Sequence, residues 1–128
     1  MFRIIRVIGV IRIISRMLPK ASRLTKKKDF ETVFKNSKSA REGFLMGKAM
    51  DNHLQVSRFG FVVSKKVSSK ATVRNKVKRR LRKAVLDNMG QLQHFLDVVI
   101  VALPGIEKKE FSEVKKTTAG LFRKMGVI

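Results

Sequence analysis

The sequence predicts an α+β fold on three observations. Residues 44–50 and 55–64 read as two strands, separated by the turn residues Asp51, Asn52 and His53, with Phe59, Phe61 and Val63 alternating along the second. Residues 97–103 (DVVIVAL) form a short, β-branched, almost wholly apolar run, as expected of a strand covered on both faces. Residues 26–36, 74–88 and 107–125 repeat apolar side chains at three- and four-residue steps, which keeps them on one helical face. In chain order this is αββαβα without an internal repeat, a two-layer sandwich of helices on a small central sheet.

Each element has a local justification. Thr25 is placed to cap the first helix, where Phe30, Val33 and Phe34 fall at i, i+3 and i+4. Asn36, Ser37, Lys38 and Ser39 then break it. The strand over 55–64 reads as the antiparallel partner of the strand over 44–50. A basic loop over 65–73 contains Ser68 and Ser69. The second helix stops near Gly90, and Pro104 with Gly105 closes the third strand. The last helix places Phe111, Val114, Thr118, Leu121, Phe122 and Met125 on one face, with Gly126 beyond it.

A chain of 128 residues suits one domain, and 44% hydrophobic residues are enough for a small core and too many for a disordered basic tail. Cysteine is absent, which excludes a disulfide framework, thiolate zinc sites, cysteine nucleophiles and iron–sulfur clusters. No apolar run approaches the ~18–20 residues that span a bilayer. Residues 1–16 stand apart: isoleucine- and valine-rich, interrupted by Arg3, Arg6, Arg12 and Arg16. As a helix they would be amphipathic, suited to a membrane surface or a partner. The reading adopted is that they are an extension, disordered or upstream of a true start at Met17, so that the domain covers 17–128. A secretory signal fits poorly, because the longest unbroken apolar stretches are short and no small-residue cleavage site follows.

The net charge of +21 in so small a volume repels itself and is best tolerated beside a polyanion. Nucleic acid is the first expected partner, an anionic membrane surface the second. The charge is concentrated. Residues 65–83 hold ten basic residues in nineteen and no acid. On a wheel of ~100° per residue, Val73, Val77, Leu81, Ala84 and Val85 form the core stripe of the second helix. Arg74, Asn75, Lys78, Arg79 and Arg82 spread over one flank, and Lys76, Arg80 and Lys83 fill the other. Isolated lysines ordinarily make a solvated face, and a soluble helix usually mixes signs in i,i+4 pairs. This density without acids, rich in planar guanidinium forks, points instead to phosphate binding. Asn75 adds an amide that both donates and accepts.

The string Arg74-Asn75-x-x-Lys78-Arg79-x-x-Arg82, preceded by Gly60-Phe61-Val62-Val63-Ser64-Lys65-Lys66, resembles the protein component of bacterial ribonuclease P. So do the opening Leu18-Pro19-Lys20…Arg23-Leu24…Asp29-Phe30-x-x-Val33-Phe34 and the later DVVIVALPG with its amphipathic helix ending Leu121-Phe122-Arg123-Lys124. The resemblance covers residues 17–125 in order. It implies an αββαβα sandwich with a left-handed βαβ crossover, of the ribosomal protein S5 domain 2-like type, against the usual hand. It implies a cytoplasmic bacterial protein, a monomer in a one-protein, one-RNA complex without membrane contact. The partner RNA is catalytic, carries the active-site magnesium ions and removes the 5′ leader of precursor tRNA. Matched residue by residue, Arg74, Asn75, Lys78, Arg79 and Arg82 are expected on the catalytic RNA. Phe30, Phe34, Lys65 and Lys66, and less directly Phe44 and Leu45, are expected on the leader. One of Phe30 and Phe34 should be largely buried and the other should reach the cleft. Gly47 departs from relatives that carry a further cleft aromatic in the first strand.

The chain shows little chemistry of its own. His53 and His94 lack ligand partners at helical spacing, Asp29 and Glu31 read as first-turn charges on a helix dipole, and Gly43, Gly47 and Gly60 form no phosphate loop. Positioning and charge neutralisation are therefore expected from the protein. The alternatives are a small basic ribosomal protein without a processing role, a membrane-active protein led by residues 1–16, and an autonomous nuclease, for which no acidic metal cluster is visible.

Overall fold

The structure, a computed structural model, describes residues 20–36 and 39–128; the readings of residues 1–19, Ser37 and Lys38 fall outside it. Its regular elements are α1 (Lys27–Asn36), β1 (Ser39–Glu42), β2 (Leu45–Asp51), β3 (Arg58–Val62), α2 (Ala71–Asn88), β4 (Leu96–Ala102) and α3 (Phe111–Lys124). The sheet order is β1-β2-β4-β3. β2 runs antiparallel to both β1 and β4, while β3 lies parallel to β4.

Three expectations are corrected here. β2 and β3 are not partners, because β4 lies between them. The most apolar strand takes the centre, where both faces can be covered, and the β3–α2–β4 crossover delivers it parallel to β3. β1 occupies residues assigned partly to a break. Its sequence, SARE, carries no apolar alternation, and it is held by its backbone ladder to β2 through a tight turn in which Gly43 has φ +54°. The helix starts also shift. α1 begins at Lys27, with the Asp29 and Phe30 amides donating to Lys26 O. α2 begins at Ala71 after an extended Lys70, and α3 begins only at Phe111, after a separate 3₁₀ turn at Ile106–Lys108.

Alternation along the strands sorts the core into two layers of unequal size. Leu45 and Ala49 of β2, Phe59 and Phe61 of β3, and Leu96, Val98, Ile100 and Ala102 of β4 point to one face. There they meet Val77, Leu81, Ala84 and Val85 of α2, and Val114, Leu121 and Phe122 of α3. The helical stripes read from the sequence are thus mostly buried, with Val73, Phe111 and Met125 half-buried at their ends. Each fully buried Leu, Ile or Phe contributes ~1.5–3 kcal/mol. Thr118 is buried without penalty because its hydroxyl donates to Val114 O at 2.8 Å. On the opposite face only α1 packs, with Leu24, Val33 and Val99 buried under it. The helices therefore lie on both sides of the sheet, two on one and a short one on the other. The outer edge of β3 is covered by the segment before α1, where Leu24 N donates to Phe59 O at 2.8 Å.

Candidate nucleic-acid interface

The register lays three rows of side chains across the thinly covered face. Met50, Asp97 and Arg58 form the first row, and Lys48, Val99 and Gly60 the second. Met46, Val101 and Val62 form the third, with Arg41 of β1 opposite Met46 at its end. α1 seals the second row: Val33 and Val99 are both 0% exposed. It lies so close that a Cβ on Gly60 would come within 2.4 Å of the Phe30 ring. The third row is left half-exposed beside the helix, an apolar strip three strands wide.

A polar clamp holds α1 in that position. Arg58 grips Asp97 with two bonds, Nε to Oδ1 at 2.8 Å and Nη2 to Oδ2 at 2.6 Å, and its Nη1 reaches Asp29 Oδ2 on α1 at 3.5 Å. Asn52 Nδ2 donates to Asp97 Oδ1 at 3.0 Å and to Val56 O at 2.9 Å. The guanidinium pKa is held above its already high ordinary value, first by the hydrogen bond with Asp97, against the opposing effect of burial, and then by the charges of Asp97 and Asp29. Asp29 is thus more than a first-turn charge. One guanidinium thus offsets one of the two carboxylate charges beside the strip, and its tight pair is with Asp97.

At the other end of α1, Phe34 is 38% exposed, whereas Phe30 is half-buried over Gly60. Of the pair, Phe34 is the more exposed. Lys48 Nζ donates to Phe34 O at 2.9 Å and lies 5.4 Å from its ring centroid. Lys65 and Lys66 are exposed just beyond the end of β3. Phe30 packs at the edge of the apolar strip and Phe34 stands exposed above Lys48, while Lys65 and Lys66 follow the strand that carries Val62. Phe44 and Leu45 lie off this face. Leu45 is 0% exposed within the larger core, and Phe44 packs against that same core with Lys109 Nζ 6.0 Å from its ring. Leu45 falls on the core parity of β2, and Phe44 lies in the turn before the strand, packed on the same core. Met46 and Lys48 face the strip, with Val62, Val101 and Arg41. The signal was present in the parity of the strands, but parity has meaning only once the covered face is known. Gly47 is also on the core side: a Cβ there would approach Leu121 Cδ2 to 2.9 Å, so its lack of a side chain takes nothing from the strip.

On the opposite side of the sheet, α2 displays the basic flank. Asn75 and Arg79 are exposed, and Arg74, Lys78 and Arg82 are half-buried. None of the four cations forms an ion pair with a carboxylate of the described residues. Arg74 has a structural task as well, since its Nη1 donates to Ser68 O and Ser69 O, both at 3.0 Å, and so fixes the loop that enters the helix. Five guanidinium donors leave others free for an anion. Among the described residues no group of three or more His, Asp or Glu side chains could hold a metal ion, and no helix is long and apolar enough to cross a membrane.

The Ribonuclease P family profile matches residues 18–126. The ribonuclease P protein component of Syntrophomonas wolfei is 34% identical over 111 residues, spanning 87% of this chain and 92% of its own length. That of Synechocystis sp. is 38% identical over 112 residues, spanning 87% and 90%. The solved RNase P protein of Thermotoga maritima superposes with a TM-score of 0.71 at 30% identity, over 79% of this chain and 96% of its own.

Proposed function

This chain belongs to the ribonuclease P protein family, a component of a tRNA-processing endoribonuclease ribonucleoprotein, and we propose that it works there through two separate surfaces. The flank of α2 carrying Arg74, Asn75, Lys78, Arg79 and Arg82 binds the catalytic RNA. The strip under Phe34 binds the single-stranded 5′ leader of precursor tRNA. The observation that carries this reading is the half-exposed row Met46–Val101–Val62, bordered by an exposed phenylalanine and by lysines, on the side of the sheet away from the basic helix.

The two surfaces suit different ligands. A cationic helix flank neutralises phosphates regardless of sequence. An apolar floor with an aromatic wall accepts unstacked bases, and Arg41, Lys48, Lys65 and Lys66 can follow their backbone. Stacking does not depend on base identity, as a processing enzyme with many leaders requires. Bond cleavage belongs to the RNA partner, with magnesium held there, as the resemblance to the family implies. The protein holds the leader in line, which raises the effective concentration of the scissile bond at the catalytic RNA. The complex is one protein to one RNA in the bacterial cytoplasm.

The test is 5′-leader cleavage of a precursor tRNA at low magnesium by bacterial ribonuclease P RNA alone, the protein alone and the two together. Stimulation is expected only in the mixture. Phe34→Ala should weaken binding of leader-bearing precursor by ~1–3 kcal/mol while leaving mature tRNA unaffected. Lys78→Ala/Arg82→Ala should weaken RNA assembly and lower its salt slope by about two. Cleavage by the protein alone would establish an autonomous nuclease. No stimulation of a well-folded RNA of matched type would leave the ribosomal alternative.

A further inference from the structure

Polar bonds tie α1 to the sheet at both of its ends. The first turn meets Arg58 of β3 through Asp29, and the last turn meets Lys48 of β2. Between them the helix crosses the second row of side chains, from Gly60 under Phe30 to Lys48 beside Phe34. Phe34 O is one of the last four carbonyls of α1, which the helix itself leaves without a donor. Lys48 Nζ supplies that donor at 2.9 Å and sets a positive charge at the negative end of the helix dipole. The same ammonium stands over the Phe34 ring, 5.4 Å from its centroid. One side chain therefore holds both the backbone and the ring of Phe34.

We propose that Lys48 is a positioning residue for the leader, which stations the Phe34 ring for stacking on a leader base and acts through that ring rather than on a phosphate. The proposal rests on the leader reading above. The state of the cations around the strip argues for it. Lys65 and Lys66 are exposed and form no ion pair among the described residues, so they can meet a phosphate backbone directly. Lys48 is half-buried, and its ammonium is already engaged by a carbonyl and an aromatic ring. Phe34 needs such a hold. It sits in the last turn of a ten-residue helix whose one buried side chain, among those described, is Val33. A ring at such a helix end loses torsional freedom when it stacks on a base, and a ring held beforehand loses less. Because stacking tolerates any base, a residue that preorganises the ring strengthens binding of every leader alike.

The experiment assembles the full chain with bacterial ribonuclease P RNA and measures affinity for leader-bearing precursor tRNA and for mature tRNA. It compares the unmodified protein with Phe34→Ala, Lys48→Met, Lys48→Arg and the double variant Phe34→Ala/Lys48→Met. Lys48→Met is expected to weaken precursor binding about three- to tenfold without changing that of mature tRNA. Lys48→Arg should restore most of the loss, since a guanidinium also donates to a carbonyl and stacks on a ring. The double variant should bind no more weakly than Phe34→Ala, because without the ring Lys48 has nothing to position. Circular dichroism checks that each variant folds, and Lys48→Gln supplies the same comparison if Lys48→Met does not. Losses that multiply in the double variant would overturn the proposal, and a salt slope lowered by about 0.7 alongside them would assign Lys48 to a phosphate. Normal precursor binding by Lys48→Met would overturn it too, while a defective Phe34→Ala left the leader reading intact. If Phe34→Ala itself bound the precursor normally, the leader reading would fail and the proposal with it.

Discussion

Arg58 shows how one side chain can set a distant surface. Its two-pronged grip on Asp97 and its reach to Asp29 fix the angle of α1, and with it the width of the strip beside Phe34. Asp97→Asn should destabilise the fold by ~2–3 kcal/mol in urea denaturation, because a partly buried guanidinium loses its charged acceptor. Arg58→Lys should cost less, about 1–2 kcal/mol, since a point charge keeps attraction but not the fork. The direction of the Arg58 shift fixes the pH behaviour. A raised pKa means the contribution is complete below the ordinary arginine value and is lost only as pH rises through the raised one. Across neutral and mildly alkaline pH the stability difference between Arg58→Lys and the unmodified protein should therefore stay flat, and a difference that titrates between pH 7 and 9 would contradict this clamp.

Between elements, close approach depends on missing Cβ atoms. α1 settles on β3 because Gly60 leaves room for the Phe30 ring, and α3 settles on β2 because Gly47 leaves room for Leu121 and Met125. The two glycines serve opposite faces of the sheet, so their replacements should separate stability from leader binding. Gly47→Ala is expected to lower thermal stability by ~1–3 kcal/mol through overpacking, with leader affinity per folded molecule unchanged. Gly60→Ala should cost a similar amount and also weaken leader binding, because displacing Phe30 tilts α1 over the strip. If both variants bound leader-bearing precursor as the unmodified protein does, the strip would not be the leader site.

At the scale of the molecule, the dominant quantity is charge. With +21 on 128 residues, and with 6 ion pairs among the described residues, several of them exposed, the folded state carries repulsion that only external anions relieve. Sulfate should raise the melting temperature more than chloride at equal ionic strength, since a divalent anion that binds the basic flanks stabilises the folded state by linkage in addition to screening. Equal shifts with the two salts would mean screening alone. The same excess charge is concentrated on α2, where Arg74, Lys78, Arg79 and Arg82 form no ion pair among the described residues.

By itself the sequence determined the identity of the apolar stripes in α2 and α3, the burial of the DVVIVAL strand, the concentration of cations on α2 and the family of the chain. These depend on local periodicity and composition, which near neighbours in the chain fix. Tertiary structure alone decided that β4 separates β2 from β3, that the unpatterned SARE stretch becomes a strand, and that Met46 and Lys48 rather than Phe44 and Leu45 face the strip. The physical reason is common to all three. Strand pairing and the choice of covered face are set by contacts between residues far apart in sequence, and a period of two says which side chains share a face without saying which face α1 will cover.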